Sequence, residues 1–344
     1  MKETGNDSVH LVVTSPPYPM IKMWDDAFGK WNPQAGEALE KKDGMEAFEQ
    51  MHASLDGVWK ECARVVMPGG FVCVNIGDAT RTLGKTFRLY PNHSRIIQSF
   101  TKLGFDTLPV ILWRKQTNAP NKFMGSGMLP GGAYVTLEHE YILVFRKGDR
   151  RPVPDEDRRK RRESAFFWEE RNIWFSDVWD FKGIRQELSL GGSPGGRERS
   201  AAYPLELVHR LVNMYSMKGD TVLDPFIGTG TTLAGCLLNE RKCIGYEIEE
   251  NLKQAIDGMI DFFIPTIPDL ISQRLKNHIG FIAGYQERKG PAKYKHEGYG
   301  FPVVTGQETD IRFDVPDGIH LNGNVLRCEY VPFVMKRGAE TNRL

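Results

Sequence analysis

The sequence has few cysteines and no long apolar run, and each lack excludes a class of protein. The five cysteines among 344 residues include no C-x-x-C pair, so neither a disulfide framework nor a zinc site is predicted. None of the eight histidines pairs at a metal-ligand spacing, and we expect no metal. Neither a membrane-length apolar stretch nor an N-terminal signal sequence is present, which predicts a cytoplasmic protein without a membrane partner.

An excess of charge of either sign is also missing. The formal net charge is +1, which by itself does not indicate a nucleic-acid-binding protein. Locally, however, a basic cluster contains five consecutive cations, namely Arg158, Arg159, Lys160, Arg161 and Arg162. Such a run predicts either a solvated, mobile loop or a surface that contacts phosphates. The second interpretation gains weight only if other motifs act on nucleic acid.

The alternation of apolar patterns predicts the fold class. Ser8 to Val13 is typical of a buried strand, Phe48 to Val66 of an amphipathic helix, and Phe71 to Ile76 of the next strand. Residues 146–200 interrupt this alternation with basic, aromatic and Gly/Ser/Pro-rich stretches, and we interpret them as an inserted module with a mobile connection. The alternation resumes at Leu205. We therefore expect an α/β protein with a doubly wound, mostly parallel sheet.

A strand, a glycine turn and a helix start follow one another two-thirds of the way along the chain. Thr221 to Leu223 predicts the strand, Gly228 and Gly230 the turn, and Thr231 the helix. Glycine permits positive φ and close approach of a ligand, and a helix start adds unpaired N–H groups. Glu247 stands about twenty residues beyond the turn, where an acidic residue holds a ribose diol in dinucleotide-type folds. The pattern predicts a cofactor loop.

The residues around this loop narrow the choice of cofactor. Thr231 occupies the place of the lysine in a phosphate-binding loop, and the full G-x-G-x-x-G fingerprint is missing. Asp224, before the turn, would repel a phosphate but would offset a cationic ligand, such as the amino group or sulfonium of S-adenosyl-L-methionine. We therefore expect the Asp224 carboxylate to face the cofactor. The alternative is an ordinary glycine turn beside a solvated acid.

A stiff tetrapeptide follows the first strand: Ser15, Pro16, Pro17 and Tyr18. Each proline fixes its own φ and favours an extended residue before it, so the Ser15 hydroxyl and nearby carbonyls are held outward as acceptors. Tyr18 adds a flat face for stacking. This arrangement suits the exocyclic amine of a flat heterocycle, whose lone pair would attack a methyl sulfonium once both N–H groups are accepted. A rigid loop or a proline-recognition segment is the alternative.

Together the two segments resemble the signature motifs of the DNA amino-methyltransferases. Thr14 to Tyr18 is similar to motif IV, in the S-P-P-Y form more typical of cytosine-N4 than of adenine-N6 enzymes, and Asp224 to Thr232 is similar to motif I. The order, with motif IV ahead of motif I, resembles the permuted β group. Three further matches support it: Glu138 to Phe145 (motif VIII), Ala202 to Leu207 (motif X) and Gly245 to Glu247 (motif II).

The resemblance implies a Rossmann-like methyltransferase fold and a set of functional residues. The catalytic residues would be Ser15, Pro16, Pro17 and Tyr18. The residues expected to bind S-adenosyl-L-methionine are Tyr203, Pro204, Asp224, Pro225, Phe226, Gly228, Gly230, Thr231, Thr232 and Glu247. The basic cluster would contact DNA phosphates, and the target base would have to leave the duplex to reach the pocket.

The motif order also implies a division of the chain. Residues 1–145 would form the catalytic half, 146–200 a target-recognition insertion and linker, and 201–255 the cofactor-binding half. Residues 256–344 would form a C-terminal extension to which no role is assigned. Double-stranded DNA is the expected partner, and a cognate restriction endonuclease is the expected protein partner. A homodimer is one option for the oligomeric state.

The predicted function is site-specific methylation of the N4 amino group of cytosine in DNA, of the restriction-modification type. Adenine N6 methylation is the alternative reaction. A catalytically inactive DNA-binding protein is the alternative of another class, although the intact motif residues speak against it. A nicotinamide-dependent oxidoreductase would rest on the glycine turn alone and would leave S-P-P-Y unexplained.

Overall fold

The computed structural model describes residues 1–115, 124–182 and 203–335. The helices of this part of the chain are α1 (Asp25–Trp31), α2 (Pro33–Glu40), α3 (Gly44–Val65), α4 (Asn92–Lys102), α5 (Asp155–Glu163), α6 (Trp168–Trp174), α7 (Leu205–Tyr215), α8 (Thr231–Leu238), α9 (Leu252–Phe263) and α10 (Ile267–Lys289). Two short 3-10 helices span Lys22–Trp24 and Ile264–Thr266. None of the described helices combines the length and apolar character needed to cross a bilayer.

The described strands form one large sheet and several hairpins. The large sheet contains β1 (Val9–Thr14), β2 (Val66–Ile76), β5 (Phe105–Thr107), β6 (Ile111–Arg114), β9 (His139–Lys147), β10 (Val178–Asp180), β11 (Thr221–Asp224) and β12 (Lys242–Gly245). The hairpins are β3 (Ala79–Leu83) with β4 (Thr86–Tyr90), β7 (Met124–Gly125) with β8 (Ala133–Tyr134), β13 (Tyr294–Lys295) with β14 (Pro302–Val303), and β15 (Asp314–Asn322) with β16 (Val325–Pro332).

The strand order of the large sheet is β10-β6-β9-β2-β1-β11-β12, with β5 paired to β9. The pairs β2–β1, β1–β11, β11–β12 and β10–β6 are parallel, whereas β9 runs antiparallel to β2, β6 and β5. The mostly parallel α/β sheet expected from the alternation of strands and helices is therefore confirmed, with β9 as the reversed strand. The carboxyl ends of β1, β2, β6 and β11 meet at one edge, called here the carboxyl edge; the opposite one is the amino edge.

Apolar side chains cover both faces of this sheet, as a doubly wound fold requires. In β1, Leu11 and Val13 face one core while Val12 faces the other, and all three are buried. One core packs against α3 and α4, and the other against α7. Between α7 and α8 the backbones approach closely: a Cβ on Gly235 would lie 2.4 Å from Val208 Cγ1. A glycine is needed there because any larger residue would separate the two helices.

Two segments of the predicted insertion at 146–200 pack on other parts of the protein. Strand β10 (Val178–Asp180) pairs with β6 and is the outermost strand on that side of the main sheet. The third apolar cluster joins Phe167 to Ile271, Leu275 and Phe301, so the chain before α6 packs on the C-terminal extension. The division at 146–200 stays a prediction. The Gly/Ser/Pro-rich connection at 190–196 lies outside the described residues.

Candidate active site

The two predicted motifs lie next to each other although 210 residues separate them. Strand β1 ends at Thr14 and strand β11 ends at Asp224, and these two strands are parallel neighbours in the sheet. Thr14 Oγ1 donates a hydrogen bond to Asp224 Oδ1 at 2.7 Å. The carboxyl edge therefore brings the S-P-P-Y segment and the glycine turn together, as expected for the crevice of an open α/β sheet.

The Asp224 carboxylate accepts hydrogen bonds from several segments of the chain. It also accepts from the Phe226 backbone N–H at 3.0 Å, from the Tyr203 hydroxyl at 2.8 Å and from the Thr232 hydroxyl at 2.5 Å. The Asp224 side chain is fully buried, and burial raises the pKa of Asp224 while these hydrogen bonds oppose the rise. Four donors from four segments thus converge on one carboxylate.

This geometry corrects the expectation that the Asp224 carboxylate faces the cofactor. The side chain is enclosed, and its four partners belong to the protein. A buried carboxylate is tolerated when such hydrogen bonds replace its water shell. Asp224 is therefore a residue that positions the loop, the start of α8 and Tyr203, and its effect on a ligand is indirect.

The glycine turn has the shape that a ligand cradle requires. Gly228 and Gly230 both have positive φ, at 53° and 89°. A Cβ on Gly228 would meet only the Phe226 carbonyl oxygen, at 3.9 Å, so the space beside it is open. At Gly230, by contrast, a Cβ would lie 2.7 Å from Met259 Cε, so α9 closes the turn from that side. The open side of Gly228 leaves room for a ligand against the backbone.

Glu247 lies directly beside this cradle. Its exposed carboxylate accepts hydrogen bonds from the N–H groups of Gly228 at 3.0 Å, Ile248 at 2.8 Å and Glu249 at 2.9 Å. Because each carboxylate oxygen has two lone pairs, Glu247 keeps acceptor capacity toward solvent. It can therefore hold the hydroxyl groups of a ribose next to the turn, as the sequence predicts.

The remaining residues predicted to bind the cofactor frame the same crevice. Pro204 is buried at the N-cap of α7, and Tyr203 before it contacts both Asp224 and Thr232. Phe226 packs edge-on against the buried Trp59, with ring centroids 6.2 Å apart. Pro225 is buried and Thr231 is half-buried at the first position of α8. The structure thus gathers the whole predicted set at the carboxyl edge. Which of them touch the cofactor stays a prediction.

Tyr18 of the tetrapeptide is held by a network that sequence reasoning missed. The Tyr18 hydroxyl donates to Glu140 Oε2 at 2.9 Å and accepts from Asn75 Nδ2 at 2.9 Å and from Ser15 Oγ at 3.2 Å. Asn75 also donates to Glu140 at 2.7 Å. Burial and then the Glu140 charge raise the pKa of Tyr18, so the phenol stays neutral and donates. The ring is thereby fixed in orientation.

Two features of Asn75 and Gly77 complete the pocket. Asn75 Oδ1 is buried and accepts no hydrogen bond in the described structure, which leaves an acceptor beside the tetrapeptide. Gly77 lies under the Tyr18 ring, where a Cβ would sit 3.0 Å from Tyr18 Cε2. The signal was in the sequence, because Asn75 follows the apolar run of β2 at the edge where Ser15 follows β1. Glu140 lay within the segment already matched to motif VIII.

The basic cluster lies at the other end of the sheet. Its five cations fall within α5, which is a helix and not a loop. Lys160 Nζ lies 3.9 Å from Asp220, the residue that precedes β11 at the amino edge. The extended chain rises by four residue steps from Asp220 to Asp224, which is roughly 13 Å. The structure therefore does not bring this cluster to the crevice.

The cations of α5 are also largely paired within the protein. Arg158 and Arg159 form ion pairs of 2.8 Å with Asp155 and Glu163. Arg162 contacts Asp310, the Gly306 carbonyl and Thr309. These contacts join α5 to the extension and favour a structural role. Phosphate binding by the cluster stays a prediction that its position does not support.

The comparisons with known proteins agree with this geometry. The family model described as DNA methylase matches residues 9–257. The chain belongs to this family. A type II methyltransferase of Methanothermobacter thermautotrophicus, M.MthZI, is 51% identical over 319 residues, covering 92% of this chain and 88% of the relative. M.MjaI of Methanocaldococcus jannaschii is 49% identical and covers 76% of this chain and 88% of the relative.

Solved structures share the fold. TTHA0409 of Thermus thermophilus, assigned as a DNA modification methylase and solved with S-adenosyl-L-methionine, superposes with a TM-score of 0.59 at 31% identity. The match covers 77% of this chain and 90% of that one. The cytosine-N4-specific PvuII DNA methyltransferase has a TM-score of 0.50 at 16% identity, and the match covers 74% of this chain and 80% of that one. At this identity the similarity concerns the fold alone. The predicted methyltransferase fold is thus confirmed.

Proposed function

We propose that this DNA methyltransferase transfers a methyl group to the exocyclic N4 amino group of cytosine, within a defined sequence of duplex DNA. The observation that carries the proposal is the pocket at the end of β1, where Ser15 stands beside a Tyr18 ring fixed by Asn75 and Glu140. The first residue of this tetrapeptide is serine, and the S-P-P-Y form resembles the cytosine-N4 enzymes. The permuted order of the motifs supports an assignment to the β group.

The methyl donor is S-adenosyl-L-methionine, as predicted, and it supplies an electrophilic methyl group on a sulfonium. The residues present fit this group. Gly228 offers an open cradle, and Glu247 offers acceptors for a ribose beside it. The pocket at Tyr18 lies next to the cradle, because Thr14 and Asp224 are hydrogen-bonded across β1 and β11. Amine and methyl group can therefore be held close to each other.

The protein contributes positioning and acceptors. The prolines remove backbone donors at Pro16 and Pro17, so the carbonyls and Ser15 Oγ present lone pairs to an amine. Accepting both N–H groups leaves the nitrogen lone pair directed at the methyl carbon. As the new N–C bond forms, the S–C bond breaks and a proton leaves the nitrogen for solvent or a nearby acceptor. Most of the acceleration comes from orientation and preorganised dipoles.

The tetrapeptide lies at the carboxyl edge with Pro16 and Pro17 buried and Ser15 and Tyr18 half-buried, so a base stacked within a duplex could not reach it. We therefore infer that the target cytosine leaves the stack. The names of the similar archaeal proteins motivate a role in a type II restriction-modification system, with a cognate endonuclease that reads the same sequence.

Mass spectrometry of nucleosides from DNA methylated by the protein tests the proposal. We expect N4-methylcytosine to appear and to depend on added S-adenosyl-L-methionine. A Ser15→Ala variant that binds the cofactor with unchanged affinity should form less of it, by roughly 10-fold or more, because one acceptor for the amine is lost. N6-methyladenine as the product would overturn the cytosine assignment.

A further inference from the structure

The position of the catalytic pocket constrains where the duplex can lie, and this inference rests on the proposed function. Strand β2 ends beside the tetrapeptide, and the β3–β4 hairpin begins at Ala79, two residues after Gly77. The β7–β8 hairpin lies between the end of β6 and the start of β9. Because β2 and β6 both run antiparallel to β9, these two connections emerge at the same carboxyl edge.

The two hairpins form one surface. The Phe87 ring of β4 stacks on the Tyr134 ring of β8, with centroids 4.5 Å apart and an interplanar angle of 23°. We call residues 79–90 together with 125–135 the hairpin wall. Its first half is anchored on α3, since Tyr90 is buried and a Cβ on Gly44 would overlap its hydroxyl group. The first half of the wall is therefore fixed at the carboxyl edge, and the Phe87–Tyr134 contact joins the second half to it.

The charge of this wall is of one sign. Residues 79–90 contain three cations, Arg81, Lys85 and Arg88, and no aspartate or glutamate. Arg81 pairs directly with Arg88 in the hairpin register. The Arg81 guanidinium donates two hydrogen bonds to the Asp25 carboxylate, at 2.7 and 2.6 Å. Two like charges opposite each other destabilise a hairpin unless an anion lies nearby. Lys85 and Arg88 are exposed, and neither has a carboxylate partner within the described residues.

The other half of the wall exposes apolar side chains. Met128 is 88% exposed, Leu129 70% and Val135 81%, and Tyr134 beside them is half exposed. Single exposed apolar residues are ordinary, but several large ones within eight residues indicate a surface that is covered during function. Apolar side chains next to cations match a nucleic acid duplex, in which base and sugar edges adjoin the phosphates.

From this juxtaposition we propose that the hairpin wall is the surface on which duplex DNA docks. Lys85 and Arg88 contact backbone phosphates, and Met128 and Leu129 lie against the base and sugar edges next to the displaced cytosine. The wall borders the pocket, so a base leaving a duplex held there has a short path to Tyr18. Helix α5, at the amino edge, offers no such path.

Salt-dependent binding of a fluorescently labelled duplex of mixed sequence tests this assignment. Neutralising the wall with K85Q and R88Q should weaken binding and flatten the slope of log affinity against log salt by about 1.8, which is about 0.9 for each lost phosphate contact. The variant R158Q with R159Q removes the same charge from α5 and should leave the slope unaltered. The opposite result, a flatter slope only for the α5 variant, would overturn the proposal.

A second variant separates apolar contacts from phosphate contacts. Replacing Met128 and Leu129 by serine should weaken duplex binding several-fold with an unaltered salt slope, because apolar contacts release no counterions. Unchanged binding in this variant would remove the apolar half of the wall from the interface. Cofactor affinity, measured by calorimetry, should stay at the wild-type value in every variant and reports that the fold is intact.

The same experiments distinguish this inference from the proposed function. If the wild-type protein formed N6-methyladenine, the cytosine assignment would fail while the binding results for the wall would stand. If the wall variants bound DNA normally and the protein still formed N4-methylcytosine, docking on the wall would fail and the proposed function would stand.

Discussion

Asp220 precedes strand β11 and Asp224 ends it; both aspartates are buried, and they are neutralised in different ways. Asp220, at the amino edge, contacts Arg151 at 2.7 Å and lies 3.5 Å from His10 and 3.9 Å from Lys160. Asp224, at the carboxyl edge, accepts only from hydroxyl groups and a backbone N–H. Asp220 is thus neutralised by cations, and Asp224 by neutral donors that position the crevice.

The difference shows how one sheet separates stability from chemistry. Ion pairs of Asp220 connect the start of β11 to Arg151 and to Lys160 of α5. At the carboxyl edge, uncharged donors around Asp224 leave the neighbouring turn free of competing cations. A sulfonium beside the turn then meets no cation paired with Asp224, and a like charge there would cost free energy in a partly buried crevice.

We expect the largest effects on stability and cofactor affinity from replacing each aspartate in turn. These two variants also test the difference between the two edges most directly. Asp224→Ala removes the common acceptor of four donors, of which the Tyr203 and Thr232 hydroxyl groups can still bond each other, so we expect a loss of about 3 kcal/mol in the free energy of unfolding. Cofactor affinity should fall by roughly 10-fold or more, because the turn and Tyr203 lose their common partner. Urea unfolding and calorimetry with S-adenosyl-L-methionine measure both quantities.

Asp220→Ala is the matched variant at the other end of the same strand. It should also lower the free energy of unfolding, since Arg151 is left partly buried and unpaired. Its affinity for the cofactor should equal that of the wild type. Equal losses of cofactor affinity in the two variants would contradict the division between the edges.

Catalysis should respond at the carboxyl edge alone. Tyr18→Ala removes the fixed ring, and we expect kcat to fall roughly 10²-fold, or about 2.7 kcal/mol, because the target base loses its orientation. Arg159→Gln at the amino edge is the control, since an exposed pair in a helix contributes only about 0.3–0.5 kcal/mol. Rates of methyl transfer to DNA under single-turnover conditions report both. A wild-type rate for Tyr18→Ala would remove the ring from the catalytic site.

Lowering the pH should destabilise the protein through His52, near the carboxyl edge, by less than the aspartate substitutions do. The buried His52 ring contacts Asn92 Oδ1 at 3.0 Å, and Asn92 Nδ2 donates to the carbonyls of Pro19 at 3.1 Å and Gly77 at 2.9 Å. Since the Asn92 amide donates twice, His52 Nε2 carries the proton and donates to Oδ1. Burial lowers the pKa of His52 from 6.5 to about 4.

The pKa of His52 is lower in the folded state than in the unfolded chain, so neutral His52 favours the folded state. Its contribution to the free energy of unfolding is therefore complete above pH 6.5 and decreases as the pH falls from 6.5 toward 4. The loss at pH 5.5 should be about 1.4 kcal/mol, measured as the difference between wild type and His52→Gln. That variant keeps a donor for Asn92 and does not titrate. His10 is its counterpart at the amino edge; its pKa is also lowered, but Asp220 opposes the shift, so His10→Gln should show a smaller difference. Equal pH dependence of His52→Gln and wild type would contradict this account.

Much of the site was readable in the sequence because its signals are local. Prolines fix φ wherever they occur, which made Ser15 to Tyr18 recognisable as a stiff acceptor segment. Positive φ at Gly228 and Gly230 follows from the need for a tight turn between a strand and a helix. Glu247 could be placed by its distance from that turn, and the structure puts it there.

Other features depend on where distant segments meet. The role of Asp224 could not be inferred from its neighbours in sequence, because three of its four donors, Thr14, Tyr203 and Thr232, reach it only through the parallel pairing of β1 with β11 and the packing of α7 and α8. Five consecutive cations indicated a charged surface, but a helix spreads them around its axis, and the chain path placed them at the amino edge.

The sequence by itself therefore determined the chemistry, and the tertiary structure decided its location. Residue type fixes what Ser15, Tyr18 and the glycines can do, since backbone freedom and hydrogen-bonding capacity belong to each residue. The direction of β9 decides that Glu140 meets Tyr18, and that the hairpins before and after β6 share the edge of the pocket. Strand order and direction are properties of the whole sheet, because every pairing depends on segments far apart in the chain.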